Sequence, residues 1–335
     1  MTQIETASPH APHVGATPDR AVPREVPREV PRTGAVAAYL ELTKPGIVQL
    51  VTVTSAVGLL LAALSSGGVT PLGLLLTSVA CLAGVVLSAA GANTLNQVME
   101  AGRDAAMPRT STRPVPSGRV GPAAASVFGA ACSVLGVAVL ALGCGTAPAL
   151  VSLVTIITYL FFYTPLKPVT PAATLVGAVP GALPPMIGWT AASAGPAAGL
   201  LEPAGWSLFL IMFLWQVPHF LAIAWMYRGD YRLGGYPVLP VVDPSGERTA
   251  RQTLIWTAAL LPASLTPAIL LGDVLSPIYV VVAVVLGMVF MRSSWRLARE
   301  RTDAAARRLF FASIIYLPVL LLATVADALV TTLLL

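Results

Sequence analysis

No charged side chain occurs across residues 45–99, which read PGIVQLVTVTSAVGLLLAALSSGGVTPLGLLLTSVACLAGVVLSAAGANTLNQVM. A transmembrane helix needs about 20 apolar residues, so this stretch is long enough for two of them. The patch Ser65-Ser66-Gly67-Gly68 lies near its middle, and serine and glycine favour turns. The stretch therefore predicts a hairpin of two membrane-spanning helices.

Similar apolar stretches recur along the chain, separated by segments that contain Lys or Arg. Residues 120–166 carry no charge, and 168–227, 252–291 and 309–335 carry one acidic residue each. Backbone polar groups in lipid need internal partners, and the alternation typical of a membrane β-barrel is absent. We therefore predict an all-α membrane protein with nine transmembrane helices. The predicted spans are 46–64, 72–94, 121–142, 147–163, 171–192, 206–226, 253–272, 276–291 and 309–333.

The distribution of positive charge predicts how these helices lie in the membrane. All 20 Lys and Arg residues fall in segments that the hairpins bring to one face. Cytoplasmic loops are enriched in Lys and Arg, so we expect a cytoplasmic N-terminus and an external C-terminus in a bacterial inner (plasma) membrane. Because this topology explains the net charge of +5, a nucleic-acid partner is not expected. The expected surroundings are the lipid bilayer.

The first residues of the chain have a different composition from the rest. Residues 1–36 are rich in Pro and Ala and contain the repeat VPREVPREVPR from Val22 to Arg32. A proline in every fourth position prevents a helix, and few apolar side chains are available for a core. We predict a disordered cytoplasmic tail at 1–36 and a transmembrane domain at 37–335.

A row of polar side chains follows the second predicted span. Asn96, Glu100 and Asp104 are spaced four apart, so a helix would display them on one face at steps of about 6 Å. Such a row at the end of an apolar span is costly unless something binds it. Mg²⁺ is typically held by one or two carboxylates together with phosphate oxygens. The alternative is a solvated helix end in which Asp104 pairs with Arg103 or Arg109.

Basic residues near this row suit a phosphate group. Arg109 and Arg113 follow it closely, and Lys167 lies on a Pro-bounded turn after the fourth span. Guanidinium groups bind phosphate oxygens in a bidentate manner, and a lysine adds a point charge. The alternative is that all three residues serve only as determinants of topology.

The sixth span contains His219, the only histidine outside the tail, directly after Pro218. An intramembrane histidine suggests a functional site, with roles such as axial ligand to a porphyrin iron, hydrogen-bond donor or proton acceptor. The alternative is a packed histidine bonded to a carbonyl group. Asp230 follows about three turns later and is a candidate second ligand for a cation. Asp327, in the last span, has no evident partner, and no function is assigned to it.

Taken together, these segments resemble the UbiA-type intramembrane prenyltransferases over residues 38–333, and within that family the branch that modifies haem. Two stretches, Arg-Thr-x-x-Arg-Pro and Trp-Gln-x-Pro-His-Phe, are typical of the haem branch. Glu100 stands where many bacterial members have Asp, and its carboxylate can still bind Mg²⁺. The matching motifs are Asn96-x-x-x-Glu100-x-x-x-Asp104, Met107-x-Arg109-Thr110-x-x-Arg113-Pro114, Tyr163-Thr164-x-x-Lys167, Trp215-Gln216-x-Pro218-His219-Phe220, Asp230-Tyr231, Gly234-Gly235-Tyr236-Pro237 and, more weakly, Leu42-Thr43-Lys44-Pro45.

The resemblance implies a UbiA-type bundle of nine helices around a cavity open to the cytoplasmic side. It implies transfer of farnesyl from farnesyl diphosphate to the vinyl group of protohaem IX (haem B), which gives haem O and diphosphate with Mg²⁺ as cofactor. This reaction belongs to haem biosynthesis for terminal oxidases, so a haem A synthase or oxidase assembly proteins are candidate partners.

The resemblance, together with the motifs, assigns roles to individual residues. The expected catalytic residues are Asn96, Glu100, Asp104, Tyr163 and Lys167. The expected metal ligands are Asn96, Glu100, Asp104 and Asp230. The expected substrate-binding residues are Lys44, Asn93, Arg109, Arg113, Trp215, His219, Arg228, Asp230, Tyr231 and Arg232.

Two other functions remain as alternatives. One is prenylation of a different acceptor, such as a quinone precursor or a chlorin, against which the Trp215–Phe220 match argues. The other is an anion transporter with kinked helices around a midplane site. Transporters often contain internal repeats, and the sequence has no convincing one.

Overall fold

The structure is a computed structural model that describes residues 34–66 and 70–334. The predicted disordered segment, 1–36, lies outside this part except for its last three residues, and Ala35 and Val36 already belong to a helix. The α-helices are α1 (Ala35–Leu42), α2 (Pro45–Ser66), α3 (Pro71–Ala105), α4 (Pro122–Gly143), α5 (Thr146–Ile157), α6 (Thr164–Leu166), α7 (Ala173–Ala182), α8 (Pro184–Ala192), α9 (Pro196–Gly199), α10 (Pro203–Met226), α11 (Arg228–Leu233), α12 (Leu239–Val242), α13 (Glu247–Ala263), α14 (Thr266–Leu270), α15 (Pro277–Glu300) and α16 (Asp303–Leu334).

Within the described residues, nine helical spans are long and apolar enough to cross a membrane, which confirms the predicted all-α membrane fold. Three of the spans are composite: α5 continues through a π-helical turn, Thr158–Tyr163, into α6, and the pairs α7–α8 and α13–α14 each form one span. The spans are Pro45–Ser66, Pro71–Ala105, Pro122–Gly143, Thr146–Leu166, Ala173–Ala192, Pro203–Met226, Glu247–Leu270, Pro277–Glu300 and Asp303–Thr332.

Each of the last three predicted spans is shorter than the observed helix at the end that carries charged residues. The seventh span starts at Glu247 rather than 253, the eighth runs to Glu300 rather than 291, and the ninth starts at Asp303 rather than 309. Apolar character marks only the part of a helix that suits lipid. Ala, Arg and Glu have high helix propensity, so the backbone continues as helix beyond that part.

Helices α2 and α8 pack closely against each other beside the candidate site. A Cβ atom at Gly58 of α2 would collide with the carbonyl of Pro185 in α8, and one at Gly188 of α8 would collide with the carbonyl of Ser55 in α2. Small residues let membrane helices approach backbone to backbone, where van der Waals packing stabilises them. Glycine is therefore required at both positions to keep α2 against α8.

The buried carboxylate of the last span has a partner that the sequence did not reveal. Asp327 accepts hydrogen bonds from the backbone N of Ser276 at 2.7 Å and from its Oγ at 2.6 Å. The side chain of Ser276 also caps the N-terminus of α15. Asp327 therefore fastens the end of α16 to the start of α15, because a buried carboxylate needs such donors.

Candidate active site

One cavity of about 470 Å³ lies among the helices and brings together most of the polar residues predicted from the sequence. Its polar end combines the start of α2, the end of α3, the loop after α3 and the turn after α6. Side chains of α2, α3, α5, α7, α8 and α10 form the rest of its wall. The predicted site residues that line it are Lys44, Asn93, Asn96, Glu100, Asp104, Arg109, Arg113, Tyr163, Lys167, Trp215, His219 and Tyr231.

The polar row on α3 is formed as its spacing predicted. Asn96, Glu100 and Asp104 all line the cavity, and their exposed fractions are only 1%, 5% and 1%. Because α3 continues to Ala105, the helix backbone holds these three side chains in line. Two carboxylates therefore stand side by side in a buried position, which requires compensating positive charge.

Three cations from separate segments supply that charge. The ammonium group of Lys44 donates to Asn96 Oδ1 at 2.7 Å. Lys167 donates to both Glu100 oxygens at 2.8 and 3.0 Å. The partner of Asp104 is neither Arg103 nor Arg109 but Arg113, whose Nη1 lies 2.7 Å from Asp104 Oδ2.

The partner of Asp104 follows from the path of the loop after α3. Residues 106–120 form a series of tight turns, within which Thr110 donates its hydroxyl to the carbonyl of Asp104 at 2.9 Å. These turns carry the chain back towards the end of α3. Arg113 therefore reaches Asp104 although it lies nine positions further along the chain.

Burial and neighbouring charges set the protonation of the two lysines. Burial and, to a lesser extent, the nearby guanidinium of Arg113 lower the pKa of Lys44 to about 7, against the raising effect of Glu100. Burial also acts to lower the pKa of Lys167. The phenol of Tyr163 and the carboxylate of Glu100 overcome this effect and raise the pKa of Lys167 well above its ordinary value. Lys167 therefore carries a fixed positive charge at neutral pH.

Lys44 has an unusual backbone as well as an unusual environment. Its φ angle is +54°, in the left-handed region that non-glycine residues rarely adopt. It joins α1 to α2 directly before Pro45, and the carbonyl of the preceding Thr43 accepts a hydrogen bond from Asn93 Nδ2 at 3.0 Å. Strained residues of this kind persist where the surrounding structure holds them. The two polar contacts to α3 hold this turn over the cavity.

The second polar segment meets the first at the rim of the cavity. Arg109 Nε lies 3.9 Å from Asp230 Oδ2, and the guanidinium lies over the rings of Tyr227 and Tyr231 at 5.0 and 5.9 Å. The loop after α3 and helix α11 are therefore neighbours, as a shared site requires. Asp230 itself faces Arg109 and is not among the residues that line the cavity.

Arg228 and Arg232 differ from the sequence expectation in their positions, since neither lines the cavity. Arg228 donates to Asp303 at the start of α16 at 2.7 Å and to the carbonyl of Trp225 at 2.8 Å. Arg232 is exposed on α11. Arg228, the first residue of α11, thus links the end of α10 to the start of α16.

The other end of the cavity carries His219 and Trp215. The indole of Trp215 donates to the carbonyl of Ser313 in α16 at 2.8 Å, and His219 Nδ1 lies 2.7 Å from the hydroxyl of the same residue. The two rings are stacked, with centroids 4.8 Å apart. His219 is thus bonded to a hydroxyl rather than to a carbonyl group, and it lines the cavity.

Some residues at the site were not singled out from the sequence. Thr164 accepts a hydrogen bond from Asn96 Nδ2 at 3.0 Å, so it fixes the amide from the side opposite Lys44. The ring of Tyr236 lies 4.5 Å from the ammonium group of Lys167. Both residues belong to motifs of the family resemblance, Tyr-Thr-x-x-Lys and Gly-Gly-Tyr-Pro, and these motifs could have identified them as site residues.

The oxygen donors of the row fit a divalent cation that also binds a substrate. Within the described residues, no group of three or more His, Cys, Asp or Glu side chains could hold a metal ion. The row nevertheless offers an amide oxygen and two carboxylates on one cavity wall, and these are the hard donors that Mg²⁺ prefers. Two protein carboxylates with substrate oxygens would match the usual way in which Mg²⁺ is bound.

The sequence matches known proteins over most of its length. The profile of the UbiA prenyltransferase family matches residues 51–315. The chain is 43% identical over 285 residues to the protohaem IX farnesyltransferase of Solibacter usitatus, covering 84% of this chain and 95% of that one. It is 44% identical over 292 residues to the protohaem IX farnesyltransferase of Opitutus terrae, covering 87% and 94%.

A solved structure shows the same fold at low sequence identity. A UbiA homologue from Archaeoglobus fulgidus bound to GPP and Mg²⁺ superposes with a TM-score of 0.57 and 15% identity, covering 86% of this chain and 99% of that one. The predicted UbiA-type bundle is therefore confirmed. With its sequence and its helix arrangement both matched over most of their length, the chain belongs to the UbiA prenyltransferase family.

Proposed function

We propose that this chain transfers the farnesyl group of farnesyl diphosphate to a vinyl group of protohaem IX and so produces haem O. The main support is one cavity that joins a polar end of paired charges to apolar walls and to His219. The relatives from Solibacter usitatus and Opitutus terrae are named for this activity. No observation favours the quinone-precursor, chlorin or transporter alternatives.

The polar end is proposed to bind the diphosphate. The positive charges of Arg113 and Lys167 match the negative charges of Glu100 and Asp104. Lys44, whose pKa is about 7, adds a further positive charge when it is protonated, and a nearby anion favours that protonated form. Arg109 at the rim adds a guanidinium that is held by Asp230 and by aromatic rings. Charge-assisted hydrogen bonds from such groups are about twice as strong as neutral ones. An anionic head group would therefore be drawn to this end of the cavity.

Mg²⁺ is part of the proposal, with Asn96, Glu100 and Asp104 as its protein ligands. When bound, the ion withdraws electron density from the diphosphate and makes it a better leaving group. The homologue from Archaeoglobus fulgidus is bound to Mg²⁺ together with GPP. Because Asp230 faces Arg109 instead of the cavity, we assign it the orientation of Arg109 in preference to the metal-ligand role expected from the sequence.

The protein's own residues are proposed to lower the cost of breaking the farnesyl carbon–oxygen bond. The diphosphate keeps the electron pair of that bond, and Lys167 and Arg113 compensate for its growing charge. Preorganised charges of this kind act strongly where water is excluded. Tyr159 and Tyr163 stack at 5.6 Å beside the polar end, and an aromatic face stabilises a cation by about 0.5–2 kcal/mol.

The opposite end is proposed to hold protohaem. The vinyl electron pair forms the new carbon–carbon bond to the farnesyl cation, and water then adds to the resulting cation with loss of one proton. Trp215 and His219 line the cavity at this end, and their rings are stacked on each other. His219 also stacks against Phe310, so its imidazole would meet a bound macrocycle with the edge of the ring.

The nine spans found among residues 34–66 and 70–334 make this a multi-pass membrane protein, and we propose that its polar end faces the cytoplasm of a bacterial cell. Arg109, Arg113 and Lys167 all line the polar end of the cavity, consistent with one positively charged face. This orientation puts the N-terminus inside and the C-terminus outside.

The test is product analysis with the purified full-length chain in lipid nanodiscs. Haem B, farnesyl diphosphate and Mg²⁺ are supplied, haem O is measured by liquid chromatography with mass spectrometry, and diphosphate release is measured in parallel. We expect equal amounts of the two products, and far less of both with Lys167→Met. Farnesylation of a quinone precursor or a chlorin without any haem O would overturn the proposed acceptor, and transport without diphosphate release would overturn the enzymatic function.

A further inference from the structure

Ser313 of α16 makes three contacts that converge on the haem end of the cavity. Its Oγ lies 2.6 Å from the carbonyl oxygen of Phe310 and 2.7 Å from Nδ1 of His219. Its own carbonyl accepts the indole N–H of Trp215 at 2.8 Å. The side chain is completely buried. One serine on α16 thus touches both aromatic residues that α10 presents to the cavity.

The direction of these hydrogen bonds follows from a count of protons. A carbonyl oxygen has no hydrogen, so its 2.6 Å approach to Ser313 Oγ requires the serine hydroxyl to donate to Phe310. The hydroxyl has only one proton, and it is used in this bond. The contact with His219 therefore requires the imidazole to donate from Nδ1–H, with Ser313 Oγ as the acceptor.

This assignment determines the protonation state of the other ring nitrogen of His219, Nε2. A neutral imidazole with its proton on Nδ1 has a lone pair on Nε2. Nδ1 is turned towards α16, and His219 lines the cavity, so the ring edge with Nε2 is the one available to a bound molecule. The ring is also stacked against Trp215 at 4.8 Å and against Phe310 at 5.4 Å between centroids, which limits its rotation.

We infer that Ser313 is a positioning residue that fixes His219 as the Nδ1–H tautomer and so presents Nε2 to the iron of bound protohaem. The inference rests on the proposed function and adds a residue to it. Histidines that bind metals almost always donate their other ring N–H to an acceptor, which fixes the tautomer and the ring orientation. Ser313 has that relation to His219, whereas Trp215 and Phe310 restrict the plane of the ring.

The first experiment reads the tautomer directly in the unmodified site. The chain contains three histidines, and the other two, His10 and His13, can be replaced by alanine because they lie in the tail. In protein labelled with ¹⁵N-histidine, we expect the NMR signals of His219 to show a protonated Nδ1 and an unprotonated Nε2. A protonated Nε2 would overturn the inference without any need for a variant of Ser313.

The second experiment measures haem binding to the full-length protein in nanodiscs. Ferrous haem on the wild type is expected to show the iron–imidazole stretch by resonance Raman spectroscopy, and His219→Ala to lack it. Ser313→Ala is expected to weaken haem binding by about 10- to 100-fold, the usual loss for such supporting residues, and to broaden or abolish the band. Ser313→Thr, which keeps the hydroxyl, is expected to restore it.

Two controls separate iron ligation from a general loss of structure. Iron-free protoporphyrin IX is expected to bind the wild type and Ser313→Ala equally, since it has no iron for Nε2. Ser207→Ala removes a matched hydroxyl. Ser207 is also buried and also donates at 2.6 Å to the carbonyl three residues earlier. Its partner, Ala204, does not line the cavity, whereas His219, the partner of Ser313, does. Ser207→Ala is expected to bind haem as the wild type does.

The outcomes distinguish this inference from the function on which it rests. If the wild type makes haem O but its haem lacks the iron–imidazole band, or if Ser313→Ala keeps both band and affinity, the inference is wrong and the function stands. If Ser313→Ala loses haem and protoporphyrin equally, Ser313 acts only in packing, and the inference is again wrong. If the wild type neither binds haem nor makes haem O, the proposed function fails first.

Discussion

Replacing Lys167 with methionine should affect turnover and stability through two separate causes. Lys167 lies 2.8 Å from Glu100 Oε1, and the exposed fractions of the two side chains are 17% and 5%. Removing one partner of a buried ion pair leaves an uncompensated charge and typically costs about 3–5 kcal/mol of stability. Loss of one preorganised group that stabilises the transition state typically reduces kcat by about 10²- to 10³-fold.

A double-mutant cycle separates these two causes. Glu100→Gln combined with Lys167→Met removes both charges, so most of the lost stability should return. Turnover should stay low, because the diphosphate still lacks the ammonium group and Mg²⁺ lacks a carboxylate. Unfolding is followed by thermal denaturation in detergent, and turnover by haem O formation at saturating substrate.

An exposed ion pair provides the matched control for stability. Arg308 and Glu300 approach to 3.5 Å, but their exposed fractions are 54% and 43%. Because exposed pairs contribute about 0–1 kcal/mol, Arg308→Met should change neither stability nor turnover measurably. If Lys167→Met is as mild as this control, the buried pair does not have the importance assigned to it. If the double variant regains normal turnover, Lys167 acts only by neutralising Glu100.

The pH dependence of this pair has a definite sign. The pKa of Lys167 in the folded protein is raised above its ordinary value, so its contribution to stability is complete below the unfolded pKa of about 10.4. That contribution should be lost only as the pH rises through the higher folded pKa. The stability advantage of the wild type over Lys167→Met should therefore persist from about pH 6 to about pH 9, because both values lie below the pKa of Lys167 in the unfolded and in the folded protein. A difference that disappears within this interval would contradict the raised pKa.

Three further variants test other parts of the structure. Asp104→Asn should raise the Mg²⁺ concentration needed for half-maximal turnover, because it removes one hard anionic ligand; an unchanged Mg²⁺ titration would refute the assignment. His219→Ala should abolish haem O formation while radiolabelled farnesyl diphosphate still binds, and unchanged haem O would remove its role. Asp327→Ala should lower the free energy of unfolding by about 1–3 kcal/mol, since it leaves Ser276 donors without an acceptor. Turnover per folded molecule should be unaffected, and a normal melting curve would contradict the proposed tie between α15 and α16.

Local spacing predicted one half of the candidate site. Asn96, Glu100 and Asp104 fall on one face because a helix has 3.6 residues per turn, and this face lines the cavity. Their partners could not be predicted in the same way. Lys44 and Lys167 lie 52 and 67 positions from the side chains that they contact, so only the packed bundle brings them together.

The charged segment after α10 shows where sequence reasoning fails. Arg228, Asp230 and Arg232 look equivalent as neighbours of an aromatic motif, but the structure gives them different surroundings. Arg228 pairs with Asp303 at 2.7 Å, Asp230 faces Arg109, and Arg232 is exposed. Their positions depend on how α11 lies between the loop after α3 and the start of α16. No local pattern in the sequence encodes that packing.

The side chains of the ion pairs at the polar end are of types that can exchange their present partners for a diphosphate and a metal ion. In each of the pairs Lys167–Glu100 and Arg113–Asp104, the cation is a type that binds diphosphate oxygens and the carboxylate is a type that binds Mg²⁺. If Mg²⁺ and a diphosphate bind here as proposed, each of these attractions is replaced by another of the same kind. The same side chains would thus stabilise the fold through one set of partners and the leaving group through the other. Each carboxylate then has a cationic partner both before and after the substrate binds. A buried carboxylate without such a partner would cost several kcal/mol.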